Sequence, residues 1–387
     1  MSELANVHAD RTNFRWQLLA SASAIALIGF VCESDMAIAA DADSDRPPLW
    51  IELGGQLNQM EDSQEAFVPA FPNSPARPSI FSPSQKFERL PLYSIDETGG
   101  ISFEPDSSNW VFSASVRYGR SSSDKHIREQ TYPQSATFFI PGNTNVYHVP
   151  PLAQRFADTN VENSEHHLIA DFQAGKDVGL GMFGDKNGSS IVGLGVRFAQ
   201  FNAKSNIAIK SNPDWQFIFY YYARFKENIP VGQPYHTNAA GMQSVRSFHG
   251  IGPSISWNAS APFLGNPQTS ELAVDWGVNA AVLFGRQRTR VSHHATGRYH
   301  SKYAGQAVRP ITYQPTPVSS PGRAKTVTVP NVGGFLGFSF RYAAAKVSFG
   351  YRGDFFFGAM DGGIDAAKKE NVGFYGPFAS VSVGIGG

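Results

Sequence analysis

Ten charged side chains sit in segments that otherwise alternate apolar with small or polar residues: Glu52, Arg117, Asp171, Arg197, Arg246, Asp275, Arg341, Lys346, Arg352 and Asp354. Read as strand residues, all of them fall on the face opposite the apolar one. Arg or Lys facing lipid at mid-depth costs about 2–4 kcal/mol. The pattern therefore asks for an aqueous or hydrogen-bonded interior. Such a set can line a path for ions or small hydrophilic solutes, or it can pair into a network that fills a closed cylinder. Basic residues outnumber acidic ones in it, which tilts a path slightly toward anions.

Other chemistry finds little support. His166-His167 and His293-His294 are adjacent pairs. Neighbours on a strand face opposite sides, so one pair alone does not easily chelate a metal, and only convergence of loop histidines would build such a site. Asp361-Gly362-Gly363-Ile364-Asp365 lacks the full acidic spacing of a calcium loop and reads as a Gly-rich outer turn. There is no Gly-x-Ser-x-Gly elbow, His-Glu-x-x-His pair or Walker loop. Ser164, His167 and Asp171 stand near one strand end, but no motif links them. Neither an enzyme nor a cofactor is expected. The formal net charge is zero, against the basic surface a nucleic-acid binder needs. Only 17% of residues are charged, which is low for a soluble protein.

The elements that would carry the charges are strands. In 110–119, Trp110, Phe112, Ala114, Val116 and Tyr118 oppose Val111, Ser113, Ser115, Arg117 and Gly119. The same two-residue period returns at 271–285, 346–358 and 375–385, with weaker matches near 49–58, 93–104, 164–175, 190–202, 245–258 and 330–342. About ten strands result, an even number, as bacterial barrels require. The expected fold is all-β: a transmembrane antiparallel up-and-down β-barrel. Connections 105–109, 176–189, 259–269 and 343–345 are short and read as periplasmic turns. Connections 59–92, 120–163, 203–244 and 286–329 are long, with 360–370 the shortest on their side, and read as extracellular loops. Trp110, Trp257, Trp276 and Tyr351 suit interface anchors. One stretch, 214–225, is apolar on both faces. It fits a short helix on the barrel rim, an inward lid, or an extra hairpin that raises the count to about twelve strands.

Residues 1–39 read as a signal peptide, with Arg11 and Arg15 before the apolar run 18–32 and Ala37-Ile38-Ala39 as the cleavage site. The run is short for a membrane-spanning helix, which needs about 20 residues. The barrel domain is then 40–387. The single cysteine, Cys32, lies in the leader, so the mature chain has no thiol for disulfides, zinc or nucleophilic catalysis.

Four phrases, FSASVRYGRSSSDKH (112–126), FHGIGPSISW (248–257), GYRGDFFFGAMDGGID (350–365) and FYGPFASVSVGIG (374–386), resemble the porin-like Legionella-type major outer membrane protein family. The resemblance is strongest in the last third of the chain and implies an outer-membrane barrel with pore-forming activity. Its partners would be the outer-membrane bilayer, small hydrophilic solutes or ions, and the barrel assembly machinery. Porin-like barrels often trimerise, but no homo-oligomer interface signature is visible here. Cysteine-rich relatives are cross-linked by disulfides, which this mature chain cannot form. Many such barrels end on an aromatic residue; this one ends Ile385-Gly386-Gly387, leaving Phe378 or Tyr375 to substitute.

Two alternatives to passive diffusion stand beside it. A barrel of about ten strands is narrow enough for side chains to fill. The loops 120–163 and 286–329, with many Pro, Ser and Tyr residues, also suit a surface interaction or adhesion role.

Overall fold

The computed structural model describes residues 48–62, 92–105, 110–131, 137–139, 146–148, 155–178, 188–215, 218–222, 227–232, 235–266, 270–301, 309–313, 318–319, 322–364 and 366–385. The leader and the middle of connection 59–92 lie outside the described residues.

The chain is a closed ten-stranded antiparallel barrel. The strands are β1 (Leu49–Asp62), β2 (Leu92–Phe103), β3 (Trp110–Thr131), β4 (Arg155–Asp177) and β5 (Ser189–Trp215). They continue as β6 (Tyr235–Asn266), β7 (Ser270–Ser301), β8 (Arg323–Tyr342), β9 (Ala345–Asp361) and β10 (Lys369–Ile385). Each pairs with its neighbour in sequence, and β1 closes onto β10 with Leu49 opposite Ile385. All ten strands coincide with segments where the two-residue period is visible in the sequence.

Closure follows from the pattern. In β1, Ile51, Leu53 and Leu57 are exposed while Gln56, Asn58 and Met60 are buried. The apolar outer face holds around the cylinder, and the polar residues of these segments point inward. Val116, Leu194, Ile255, Val278, Leu336, Phe349 and Val383 face outward. An outside of this kind is stable only in lipid, where every backbone N–H and C=O must find a partner within the protein. Phe103, Trp110, Phe263 and Tyr342 mark the belt's lower edge. There the turn from β8 to β9 is two residues, Ala343 and Ala344, with Ala343 at φ 47°.

The strands are longer than the sequence pattern suggests. Parts of the expected loops 120–163, 203–244 and 286–329 are ladder: β3 runs to Thr131, β5 to Trp215 and β7 to Ser301. Residues 259–266 are also strand, rather than turn. Above the lipid the outward face becomes polar, as at Lys204, Asn206 and Arg288, while Ile207, Ile209, Met242 and Val291 still pack inside. The apolar outer face stops there and the inner one does not, so a reading keyed to the outer face ends each strand too early.

The 214–225 stretch also departs from expectation. Ile218–Tyr222 pairs with Glu227–Gly232 as a separate two-stranded sheet. It is neither a rim helix nor an extra barrel strand. Successive aromatic and β-branched residues favour extended backbone, which explains the preference for a hairpin.

Leu336, 61% exposed on the lipid face, gives a direct test. Leu336→Arg is expected to lower unfolding stability in vesicles by about 2–4 kcal/mol, measured by urea titration of tryptophan fluorescence.

Candidate functional site

Among the described residues, three inward layers hold the charged groups and the packing between them, and a further apolar cluster around Ile207, Ile209, Met242 and Val291 fills the upper ladders. The lowest holds most of the sequence-predicted charges. Arg117 Nη2 reaches Asp354 at 2.8 Å, and its Nε lies 3.8 Å from Asp96. Arg197 donates to both Asp171 oxygens, at 2.7 and 3.0 Å. It also donates to Asn279 at 2.7 Å, to Asn331, and to Asp354 at 3.5 Å. Asp354 therefore serves two guanidinium groups. Nearer the periplasm, Lys346 meets Asp275 at 2.6 Å, and Ser260 donates to the same carboxylate. Arg352 lies 4.7 Å from the Phe378 ring centroid and 5.7 Å from that of Phe335. Glu52 is half-buried and places its charge near Arg352. Arg341 sits 5.6 Å from the Trp50 ring centroid and outside this network.

Above this layer the interior turns apolar. Met60, Ile169, Phe201, Phe248, Leu283, Val329, Phe356 and Phe374 come from eight different strands and form one buried cluster. Phe201 packs against the rings of Phe248, Phe356 and Phe374 at 5.6, 4.7 and 5.5 Å. Phe248, Leu283, Val329, Phe356 and Phe374 are 0% exposed. A water-filled lumen would wet these side chains, so in this state the cylinder is filled at their level.

The third layer is charged again and reaches the outer turn. Arg246, the remaining sequence-predicted residue, lies 3.7 Å from Glu370 and donates to Gly362 O at 3.1 Å. Arg323 donates to Asp361 at 2.9 Å and to the carbonyls of Gly363 and Ile364. These bonds draw residues 361–364 into the mouth of the barrel, where Asp361, Gly362 and Gly363 are buried. Two glycines permit the bend. Gly358 has φ 68° at a register shift in β9, and a Cβ on Gly362 would lie 1.5 Å from Glu370 Cδ. Asp361 also accepts from the backbone N–H groups of Gly363 and Lys368. Burial works against its charge, but the Arg323 bond and these two backbone donors outweigh it and hold the carboxyl below the ordinary range.

Several interior residues escape the sequence-level set. Asp96 lies 2.8 Å from His167, accepts from Asn58 and Ser94, and is fully buried. Its register was legible, since Tyr93 and Ile95 alternate with Ser94 and Asp96. His167 has the parity of Asp171, whereas its neighbour His166 points outward. Together with Glu165, Asp361 and Glu370, Asp96 offsets the basic excess of the sequence-level set, even with Arg323 added. The slight anion preference drawn from that set loses its basis.

An apolar outer belt around a closed antiparallel cylinder makes this a β-barrel of the bacterial outer membrane. No family model matches the chain, and no curated protein matches it. Among solved structures, the translocator domain of the autotransporter NalP from Neisseria meningitidis aligns over 98% of this chain and 99% of its own, at 10% identity and TM-score 0.26. The outer membrane protease OmpT from Escherichia coli aligns over 90% and 99%, at 11% identity and TM-score 0.32. The toluene transporter TodX from Pseudomonas putida aligns over 89% and 90%, at 7% identity and TM-score 0.19.

Asp354→Asn leaves two buried guanidinium groups short of a charge. It is expected to destabilise the barrel by about 3–5 kcal/mol in urea unfolding. The Asp361 contacts predict a pH effect. A carboxyl lowered in the folded state stabilises the turn at neutral pH, and that contribution disappears as pH falls through its folded-state value, below the ordinary 3.8. Amide-exchange protection at 362–364 should therefore persist down to about pH 4 and collapse below it. In Asp361→Asn it should be weak at every pH.

Proposed function

We propose that the chain is a porin-like, pore-forming protein of the outer membrane whose narrow conduit is closed at rest. The observation that carries this reading is the stacking of layers: an apolar layer built around Phe201, Phe248, Phe356 and Phe374 lies between two sets of inward charges. Hydrophobic constrictions gate channels by excluding water, and charged walls on either side of one supply a hydrated route up to it. The resemblance of the four sequence phrases to the Legionella-type family supports the same reading. The permeants would be small hydrophilic solutes or ions that pass by diffusion once the aromatic layer parts. The outer turn held by Arg246 and Arg323 is a second closure above it.

A second reading is favoured by the complete burial of the aromatic layer. Here the barrel is permanently filled, and its work is done by the strand extensions and loops outside the membrane.

Planar-bilayer recording separates the two. Wild-type protein should show rare openings, and Phe201→Ala with Phe356→Ala should raise open probability at least tenfold. Silence of that double variant, with its heat-modifiable gel migration intact, would favour the filled barrel.

A further inference from the structure

The outward face of β7 changes abruptly at the upper edge of the lipid belt. Val278, Val282 and Phe284 are exposed to lipid. The next three outward residues are Arg286, Arg288 and Arg290, all exposed, while the intervening Gln287, Thr289 and Val291 are buried inside. The arginines stand two residues apart, so their roots rise in steps of about 6.7 Å along one strand.

The flanking strands contribute no counter-charge. On β6 the residues opposite are His249, Ser247 and Val245. On β8, Thr326 and Ala324 face Arg286 and Arg288, and Gly322 lies beside Arg290, where a Cβ would stand 4.0 Å from Arg290 Nε. One strand further, Lys204 is exposed in the Arg290 row, reached through Val245. Continuing across β5 and β4, the Arg288 row passes through Asn202 and His166 to Arg120, of which His166 and Arg120 are exposed. Outward carboxylates of β3 and β4, Asp124 and Glu162, lie further from the belt than this row. From β7 round to β3 the outward charge at this height is therefore positive, and the exposed carboxylate in the Arg286 row, Glu97 on β2, stands five strands away.

We propose that this stripe is a binding surface for the phosphate-bearing headgroup of an anionic glycolipid in the outer leaflet. Depth selects the lipid as the occupant: the stripe is continuous with the lipid-facing belt of the same strand, at the height where headgroups begin. Chemistry selects phosphate: exposed guanidinium groups with neutral neighbours offer paired N–H donors that fit phosphate oxygens in a fork. A basic residue at an anionic membrane surface contributes roughly fivefold in affinity, so three arginines together give on the order of a hundredfold.

The test uses the purified full-length barrel in neutral detergent micelles, titrated with doubly phosphorylated lipid A and read by its thermal unfolding midpoint. Wild-type protein should half-saturate at a lipid A concentration about a hundredfold lower than the Arg286→Gln/Arg288→Gln/Arg290→Gln variant. Chemically dephosphorylated lipid A should behave with wild-type protein as the phosphorylated lipid does with the variant. If the triple variant fails to fold, Arg288→Gln alone should show roughly a fivefold shift. Equal half-saturation for wild type and variant, or for the two lipids, overturns the proposal. So does saturation by inorganic phosphate alone at matching concentration, which would make the ligand a free anion.

Discussion

Everything in this molecule depends on the backbone having no water to bond with inside the bilayer. Closing β1 onto β10 answers that requirement for every strand at once. Closure then dictates the inversion of polarity. The outer surface must be apolar, and whatever polarity the sequence carries in these segments must point inward. Inside a cylinder of this width there is little room for water, so inward charges must find one another. Asp354 between Arg117 and Arg197, and Asp275 beside Lys346, are the result.

The interior is not uniformly polar, and that sets its character. If the barrel were held only by buried ion pairs, the desolvation of each charge would consume most of the Coulombic gain. The cluster around Phe201, Phe248, Phe356 and Phe374 supplies burial without that penalty. It also places a dry layer across the barrel interior at that level. Rigidity and closure come from the same side chains, so a state that conducts must be one in which part of this packing is given up.

Much of this was legible in the sequence. The strands and their order were written in the alternation of residues such as Trp110 to Tyr118 and Leu272 to Phe284, because lipid outside imposes a strict two-residue period. The same parity places Arg117, Arg197 and Asp354 on the inner face. What the period cannot supply is which inner residues meet. Strand stagger brings Arg197 and Asp354, which are 157 residues apart, to the same level. The Phe201 layer was hidden for a related reason: an inward aromatic looks, residue by residue, like an interruption of the pattern. The ladders above the membrane were missed because lipid no longer marks their outer face. The hairpin at Ile218–Tyr222 was obscure because apolar residues on both sides erase any period.

Those upper ladders have a mechanical meaning. The stretch of β7 from Arg286 to Ser301 remains paired to β6 almost to its end. At about 3.3 Å per residue and a tilt near 45°, it rises roughly 35 Å above the lipid. Because it is hydrogen-bonded sheet rather than slack chain, it works as a pedestal. Whatever this ladder carries at Ser301 is held off the bilayer at a set height rather than lying on it.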